Sequence, residues 1–262
     1  MSLKSLFTAA TGMDVQQTQI DSIANNLANM NTTGYKASNS VFEDMIYDQV
    51  QTPGLKNATN TASPIGIQVG HGARLVGVYK HFSQGDFVQT NRDLDLAIEG
   101  SGFFQVTLDN GEAAYSRDGG LKLSPAGVLV NNRGYQIQPS VTIPTTATSV
   151  TIAKDGTVTA AIAGQPAPQQ LGTVQLVTFQ NPSGLKSIGQ NVFQQTDASG
   201  TPTTATPGLA GAGTFQQGFL ENSNVNVASE LINMVVAQRA YEANSKVLTT
   251  TSEMLKASNN IV

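Results

Sequence analysis

Apolar positions at the start of the chain recur at alternating intervals of three and four residues. This spacing runs through Leu3, Leu6, Ala10, Met13, Gln17, Ile20, Ala24, Leu27 and Asn31. It is typical of the narrow a/d seam of a coiled coil. We therefore predict a long amphipathic helix that ends near residues 31–34, where Gly34 can adopt the left-handed conformation of a helix C terminus.

The same spacing returns at the other end of the chain. It runs through Val227, Leu231, Met234, Gln238, Tyr241, Ser245, Leu248, Ser252, Leu255, Asn259 and Val262. Asn226 is a suitable N-cap, and Glu230 in the first turn and Lys256 in the last turn suit the helix dipole. The sequence thus predicts a second helix of about the same length, over 227–262.

Each predicted helix lacks a partner helix other than its counterpart at the opposite end of the chain. We expect the two to pair as a coiled-coil-like stem. Several seam positions are polar, and a polar residue at an a/d site lowers stability, so an isolated pair is expected to be marginal. The alternative, in which both helices pack on the domain between them, stays open.

Between the helices the hydrophobic period changes to two, which predicts strands at 94–99, 103–108 and 174–179. Turn residues at 109–111, 117–119, 131–134 and 154–156 supply the positive φ angles that tight hairpins need. The fold class is therefore α+β, with an antiparallel β domain inserted between the helices. The predicted divisions are a stem of 1–30 plus 227–262, a connecting region of 31–74 plus 215–226, and a β domain of 75–214.

Two stretches, 48–74 and 197–213, follow neither period. Both contain Pro and Gly residues, and aperiodic segments of this length are usually functional or disordered. We expect both to be disordered in the isolated chain.

Composition narrows the classes of function. The 262 residues carry a formal net charge of −4, which disfavours a nucleic-acid partner, and only 12% are charged, which suits self-association. There is no Cys, so disulfides and thiol chemistry are excluded. No apolar run is long enough to insert into a membrane, and no apolar segment near the start forms a cleavable signal peptide. An exported chain of this kind would need another export route.

Few residues of the sequence are arranged in a way that could support catalysis. We therefore predict that the chain is not an enzyme and that it has no catalytic residue, no cofactor and no metal site. His71 and His81 are expected to be solvent-exposed imidazoles. Asp93, Asp95 and Glu99 form the densest acidic group, which we interpret as a solvated strand edge. The open alternative is a secreted peptidoglycan-active enzyme that would use Asp95 and Glu99 as its two carboxylates.

The remaining motifs resemble those of a known family. Residues 23–29 (IANNLAN) and 31–36 (NTTGYK) are similar to the N-terminal signature of bacterial flagellar basal-body rod and hook proteins. The resemblance continues through 85–87, 93–98, 100–104, 115–119 and 223–227, and ends at 238–244 (QRAYEAN). Its motif residues include Asn25, Asn26, Asn29, Gly34 and Tyr35. Length, a single β domain and the segment Val41–Asp44 resemble rod subunits more than hook subunits.

The resemblance implies a structural subunit that polymerises helically into a stiff hollow shaft, which transmits torque to the hook and forms part of the export channel. The implied partners are copies of itself, proximal rod and hook subunits, outer-ring bushing proteins and the flagellar type III export apparatus. The implied location is the basal body, from the periplasm to the outer membrane. A proximal rod or hook subunit is the alternative within the family.

Within this reading two sets of residues are predicted to act in assembly. The segment 48–74 would bridge neighbouring subunits and stiffen the rod, with Pro53, Gly54, Pro64 and Gly66 as its key positions. The assembly seam is predicted to consist of the apolar a/d residues of the helices: Leu3, Leu6, Ala10, Met13, Ile20, Ala24, Leu27, Val227, Leu231, Met234, Tyr241, Leu248 and Leu255.

Overall fold

The computed structural model describes residues 2–52, 65–165 and 167–259. It contains the two predicted helices, α1 (Ser2–Ala28) and α2 (Val227–Asn259). The Ser229 amide donates to Asn226 Oδ1 at 3.1 Å, which confirms Asn226 as the N-cap of α2. The end predicted for α1 is wrong by several residues: Gly34 has a φ of +67° but lies beyond the last helical residue, Ala28. Its conformation serves another contact, described below.

The middle of the chain is built from short strands. They are β1 (Ser38–Asp44), β2 (Tyr47–Gln51), β3 (Ile67–Gly70), β4 (Ala73–Lys80), β5 (Phe87–Gln89), β6 (Leu96–Glu99), β7 (Phe104–Thr107), β8 (Ala113–Ser116), β9 (Lys122–Leu123), β10 (Leu129–Val130), β11 (Gln136–Gln138), β12 (Ala147–Ile152), β13 (Thr157–Ile162), β14 (Gln169–Thr173), β15 (Leu176–Thr178), β16 (Lys186–Gly189), β17 (Val192–Gln194), β18 (Thr203–Ala205), β19 (Thr214–Gln217) and β20 (Phe219–Glu221).

The largest sheet has the strand order β16-β17-β8-β7-β11-β10-β9, and a second sheet has the order β12-β13-β14. The strand pairs β15–β18, β6–β19 and β5–β20 are also antiparallel. The predicted strands at 94–99, 103–108 and 174–179 correspond to β6, β7 and β15. Gly111, Gly134 and Gly156 have positive φ in the hairpins β7–β8, β10–β11 and β12–β13, as their turn motifs predict.

The predicted hairpin at 117–119 is wrong. Gly119 is buried, and a Cβ atom on it would lie 1.7 Å from the Leu96 carbonyl oxygen. The Leu96 amide donates to the Gly119 carbonyl at 3.0 Å. Gly119 is therefore required for a close approach of two backbone segments and not for a turn.

Two apolar clusters form the core of the β-rich part. In the larger one, the rings of Phe104 and Phe215 stack with centroids 5.6 Å apart, among residues such as Leu96, Leu121 and Leu176. The second cluster is aromatic: Phe103 contacts Phe82, Phe179 and Phe193 edge to face, and Tyr115 packs on Phe179. Such edge-to-face contacts add about 0.5–1.5 kcal/mol each to the gain from burial.

The chain divides into two compact units. The terminal unit consists of Met1–Leu27, Ser38–Tyr79 and Asn226–Val262, and the β unit consists of Ala28–Ala37 and Lys80–Val225. The predicted connecting region 31–74 plus 215–226 is divided between them: 31–37 and 215–225 belong to the β unit, and 38–74 and Asn226 belong to the terminal unit.

The disorder expected at 48–74 is wrong for the described part of that stretch. The strands β2 and β3 pair antiparallel, with Tyr47 opposite Gly70 and Asp48 opposite Val69. Nearly every residue of this hairpin is exposed on both faces, so apolar and polar positions need not alternate and no period marks the strands. Residues 53–64, between the two strands, lie outside the described residues.

The disorder expected at 197–213 is also wrong. This segment contains β18, and Ser199, Ala205 and Ala212 are buried. Local hydrogen bonds fix it: Ser199 Oγ donates to the Thr196 carbonyl at 2.8 Å, and Thr196 Oγ1 donates to the Gly184 carbonyl at 2.6 Å.

Within the described residues, neither helix is long and apolar enough to cross a membrane.

Candidate functional site: a buried junction of the chain's motifs

The motif that follows α1 is held in the β unit by its glycine. A turn in which the Thr32 amide donates to the Asn29 carbonyl brings the chain to Gly34, whose amide donates to the Glu221 carbonyl at 2.8 Å. A Cβ on Gly34 would lie 2.8 Å from the Asp118 amide nitrogen and 2.9 Å from the Arg117 carbonyl carbon. Only glycine fits both the left-handed φ and this approach.

Two residues farther on, Lys36 is completely buried. Its Nζ donates to Glu221 Oε1 at 2.6 Å and to the Ser83 carbonyl at 2.7 Å, and its side chain is 0% exposed. The neighbouring Tyr35 ring lies under Lys80, whose Nζ is 4.2 Å from the ring centroid. Lys80 also donates to the Lys36 carbonyl at 3.0 Å, so the motif is bound through both side chain and backbone.

Glu221 is the common partner of two cations. Its Oε2 accepts from Arg117 Nε at 2.8 Å, while its Oε1 accepts from Lys36 and from the Gly85 amide at 2.9 Å. The Glu221 and Arg117 side chains are 1% and 5% exposed. These two cations balance the negative charge of the buried Glu221 carboxylate, and both of its oxygens accept hydrogen bonds.

Arg117 extends the network to the backbone of a further motif. Its Nη1 donates to the Gly102 carbonyl at 2.6 Å, and its Nη2 donates to the Gly100 carbonyl at 2.5 Å. The planar guanidinium thereby fixes the 100–102 turn. One carboxylate and one guanidinium hold together segments around residues 34–36, 83–85, 100–102, 117 and 221, most of which carry the motifs named above.

Burial and charge oppose each other at these groups. Burial lowers the pKa of the Lys36 ammonium below its ordinary 10.5, and attraction to Glu221 offsets only part of this effect. Burial by itself would raise the pKa of Glu221, but the charges of Arg117 and Lys36 outweigh it and hold that pKa below its ordinary 4.5. Glu221 is therefore ionised in the native state at neutral pH.

Asn224 supports the same junction from the segment before α2. Its Oδ1 accepts from the Ala37 amide at 2.8 Å. Its Nδ2 donates to the His81 carbonyl at 2.8 Å and to Ser83 Oγ at 2.9 Å. The amide thus joins the chain after α1, the segment after β4 and the segment before α2 within the β unit.

In the terminal unit, Asn26 performs a similar role. Its Oδ1 accepts from the Ser38 amide at 2.8 Å, and its Nδ2 donates to the Ser38 carbonyl at 2.9 Å and to Glu230 Oε1 at 3.2 Å. The side-chain amide thus pairs with the backbone of Ser38 as a neighbouring strand would. Asn26 connects the end of α1, the start of β1 and the first turn of α2.

Small and polar side chains line the contact between α1 and α2 in this unit. A Cβ on Gly12 would lie 2.8 Å from Asn244 Nδ2. Among the described residues of the two helices, the buried ones are Ala9, Val15, Ile23, Asn26, Ala237 and Thr251. Five of these six lie one position before a residue of the predicted seam periodicity (Ala10, Ala24, Leu27, Gln238 and Ser252). The face buried within the chain is therefore turned by about 100° from that seam.

The predicted seam residues lie at different depths. Leu6, Met13, Ile20, Leu27, Met234 and Leu248 are half-buried, and Ala10, Ala24, Val227, Leu231, Tyr241 and Leu255 are exposed. The Leu3 side chain lies outside the described side chains. Contact of these residues with other copies stays a prediction. Coiled-coil packing of the two helices also stays a prediction.

Of the predicted stiffness positions, Pro53, Gly54 and Pro64 lie outside the described residues. Gly66 is half-buried and immediately precedes β3. Among the motif residues, Gly34, Tyr35 and Asn26 are buried, Asn29 is half-buried and Asn25 is exposed.

The interpretation of Asp95 as part of a solvated strand edge is wrong. Asp95 is 0% exposed because it lies just before β6 and bridges Gly120, whereas Asp93 and Glu99 are exposed. The Arg92 guanidinium lies 3.7 Å from Asp95 Oδ1. Asp95 and Glu99 thus do not form a pair of accessible carboxylates. His81 is exposed as expected, but His71 is half-buried.

The local sequence does not predict the ion network. Lys36 and Arg117 lie within the motifs at 31–36 and 115–119, and Glu221 lies outside every motif named above. The signal that the sequence offers is that Lys36 and Arg117 each lie within a Gly-containing motif of a chain in which 12% of the residues are charged. The pairing itself joins residues 185 positions apart and needs the tertiary structure.

Comparisons with known proteins agree with these motifs. Residues 6–36 match the family described as "Flagella basal body rod protein", 97–160 match "Flagellar hook protein FlgE/F/G D1 domain", and 216–261 match "Flagellar basal body rod FlgEFG protein C-terminal". The chain is 47% identical over 254 residues to the flagellar basal-body rod protein FlgG of Buchnera aphidicola, covering 97% of this chain and 98% of the relative.

Two further relatives bear the same name. The FlgG proteins of Borreliella burgdorferi and Caulobacter vibrioides are each 42% identical to the chain. The alignments cover 99% of this chain in both cases, and 98% and 99% of the relatives.

The first prediction concerns the charge on Glu221. Glu221→Gln leaves Lys36 and Arg117 buried without a counter-charge and should lower the free energy of unfolding by about 3–5 kcal/mol at neutral pH. Because the native pKa is depressed, the carboxylate's contribution is present above the unfolded pKa and is lost as the pH falls through the native pKa. The deficit of the variant should therefore shrink below pH 4.5, as measured by urea unfolding at several pH values.

Glu112→Gln, at an exposed glutamate, is the matched control for this prediction and should leave stability nearly unchanged. A Glu221→Gln variant as stable as the wild type at neutral pH would contradict the assigned role of the network.

The second prediction concerns Gly34. Gly34→Ala should destabilise the chain by more than about 1 kcal/mol, since it combines a left-handed φ with a backbone clash. Gly111→Ala is the control: Gly111 has a φ of +83° and nothing within 4 Å of an added Cβ. Thermal unfolding should show the larger loss for Gly34→Ala, and equal losses would refute the close approach.

Proposed function

This chain belongs to the flagellar basal-body rod protein family, and from that premise we propose that it is a structural subunit of the distal rod. In this proposal it has no enzymatic activity. Copies polymerise helically into a stiff hollow shaft, which transmits torque from the motor to the hook and forms part of the export channel. Its immediate partners are other copies, proximal rod subunits, hook subunits and the outer-ring proteins that surround the rod.

The observation that carries this proposal is the outward face of α2. Leu231, Ile232, Val235 and Val236 are all exposed, and Ile232 and Val236 are more than 60% exposed. The side of the helix toward α1 carries Glu230 and Asn244, which are polar. An amphipathic helix with its apolar side outward gains stability only when another surface covers that side.

The hairpin β2–β3 is a second surface of this kind. Tyr47, Val50, Ile67 and Val69 are exposed on it, and an isolated two-stranded hairpin is marginally stable in water. These features support contact of the segment 48–74 with neighbouring copies. In the proposed rod this contact prevents the sliding between subunits that would let the shaft bend.

We further propose export through the flagellar type III apparatus, without a cleaved signal peptide, to the basal body between the periplasm and the outer membrane. The contact between α1 and α2 buries few large apolar side chains, so the helices open at small cost in free energy and become stable when copies cover them.

The alternative to a distal rod subunit is a proximal rod or hook subunit. The position of labelled protein along isolated basal bodies distinguishes these three locations.

The third prediction tests the apolar face of α2. Leu231→Asp should leave the isolated chain folded, with a change in unfolding free energy within about 0.5 kcal/mol, because Leu231 is 46% exposed. Assembly should fail, since a charge would be buried against the next copy. Cells carrying the variant should have truncated rods in electron micrographs and should not swim.

Val88→Asp, in the β unit, is the control with a similar exposure of 44%. It should leave rods intact. Normal rods and swimming with Leu231→Asp would exclude this face from the contact.

The fourth prediction tests the stiffening segment. Gly66→Val adds a branched side chain at a half-buried position next to β3 and should produce bent rods or rods of abnormal length, measured by electron microscopy. Gly77→Val is the control because an added Cβ at Gly77 has nothing within 4 Å. Straight rods of normal length with Gly66→Val would count against the role of 48–74.

A further inference from the structure

The sequence contains one Asn-Gly pair, at Asn110 and Gly111. Both residues are exposed, and they lie at the end of the hairpin between β7 and β8. Asparagine is a thermolabile residue, and a following glycine increases its lability because no side chain hinders the approach of the next backbone nitrogen to the side-chain amide. The local sequence thus marks Asn110 as a chemically labile position.

The reaction open to such a pair is succinimide formation. The backbone nitrogen of Gly111 loses its proton to the solvent and attacks Asn110 Cγ. The bond from Cγ to Nδ2 breaks, and ammonia leaves with a proton taken from water. A second water then adds to one carbonyl carbon of the five-membered ring and opens it, which leaves aspartate or isoaspartate at position 110. Amide and water become carboxylate and ammonium, with no oxidation or reduction.

The hairpin engages both reacting groups in hydrogen bonds. The Gly111 amide donates to the Leu108 carbonyl at 2.9 Å, so the proton that has to leave is in use. Asn110 Oδ1 accepts from the Glu112 amide at 3.0 Å, which forms an Asx turn, and Asn110 Nδ2 donates to Glu112 Oε2 at 2.9 Å. The attack therefore requires the end of the hairpin to open.

Glu112 is itself held by the sheet. Its Oε2 also accepts from Gln194 Nε2 at 3.2 Å, and Gln194 is the last residue of β17, which pairs with β8. The Leu108 amide donates to the Glu112 carbonyl at 3.0 Å, which fixes the backbone at the same place. The group that holds the labile amide thus belongs to the seven-stranded sheet and not to the end of the hairpin.

We propose that Asn110 and Gly111 form a site of slow self-modification, and that Glu112 sets the rate by holding the Asn110 amide in its present hydrogen bonds. The reaction proceeds from the minor population in which the end of the hairpin is open. The product places a new negative charge between Asp109 and Glu112. Isoaspartate also lengthens the backbone by one carbon atom, which disturbs the hydrogen bonds that close the hairpin.

A competing role for the Glu112 carboxylate is that of a general base that removes the Gly111 proton. The two roles predict opposite effects of Glu112→Ala. Loss of a holding group accelerates the reaction, whereas loss of a base slows it.

The experiment follows the reaction in the folded full-length chain in mildly alkaline buffer. Tryptic cleavage after Arg92 and Arg117 releases the peptide 93–117, in which Asn110 is the only asparagine. Mass spectrometry and an isoaspartyl methyltransferase assay measure its modification over time. Glu112→Ala should react about fivefold faster than the wild type, the factor that corresponds to one hydrogen bond of ordinary net strength.

Two controls isolate the hydrogen bond. In concentrated urea, where the hairpin is absent, the wild type and Glu112→Ala should react at the same rate, and faster than the folded wild type. Asp109→Ala removes the same charge from the other side of Asn110 and should leave the rate in the folded chain nearly unchanged. Circular dichroism checks that each variant is folded.

Gln194→Ala provides a second test, because it leaves the Glu112 carboxylate in place but removes the side chain that holds it. The reaction in the folded chain should accelerate, though less than with Glu112→Ala. A rate equal to that of the wild type would contradict the positioning role of Gln194.

Four outcomes would overturn the proposal. They are an unchanged or slower reaction in folded Glu112→Ala, an equal acceleration by Asp109→Ala, an acceleration by Glu112→Ala that persists in urea, and modification of the exposed Asn132 before Asn110. Because the reaction is a property of the single chain, its failure leaves the proposed function untouched, and failure of assembly leaves the reaction untouched.

Discussion

The ion network around Glu221 is the interaction on which the junction of this chain depends. One carboxylate, excluded from water, holds a lysine from the segment after α1 and an arginine from the segment after β8. Moving these charges out of water costs free energy. The attraction and hydrogen bonds between them offset this cost only when all partners are present. A chain that misplaces any one of these segments therefore leaves a charge buried and unpaired, so the segments that carry Lys36, Arg117 and Glu221 must all be in place together.

Glycines make the network possible by allowing backbones to approach. Gly34 lies against the 117–118 backbone, and a Cβ on Gly85 would lie 2.1 Å from the Asn222 carbonyl oxygen. These contacts bring the amides of both glycines within reach of Glu221, one to its carbonyl and one to its carboxylate. The motifs of the family thus combine residues that approach closely with residues that carry charge, and both are needed at the same place.

The terminal unit has a different arrangement, in which small and polar residues lie between the helices and aliphatic residues lie on the outside. Its helices contact each other through Gly12, Asn26, Glu230 and Asn244, while aliphatic residues of α2 face outward. The β unit thus has a buried core of its own, whereas in the terminal unit the exposed aliphatic face of α2 is the surface that the proposed assembly would cover.

The sequence alone determined the two helices, the N-cap Asn226, the antiparallel character of the β domain and three of its four predicted hairpins, because periodicity, capping and turn chemistry are local properties. It also identified the family, through motifs of consecutive residues. Only the tertiary structure decided that Asp95 is buried, that 48–74 contains a hairpin, that the helix face buried within the chain is turned from the predicted seam, and that Lys36, Arg117 and Glu221 meet. A spacing of three and four shows that a helix has a stripe but does not show which neighbour covers it, and a charge in a motif does not show its partner. Both depend on contacts between residues far apart in the chain, which local patterns do not encode.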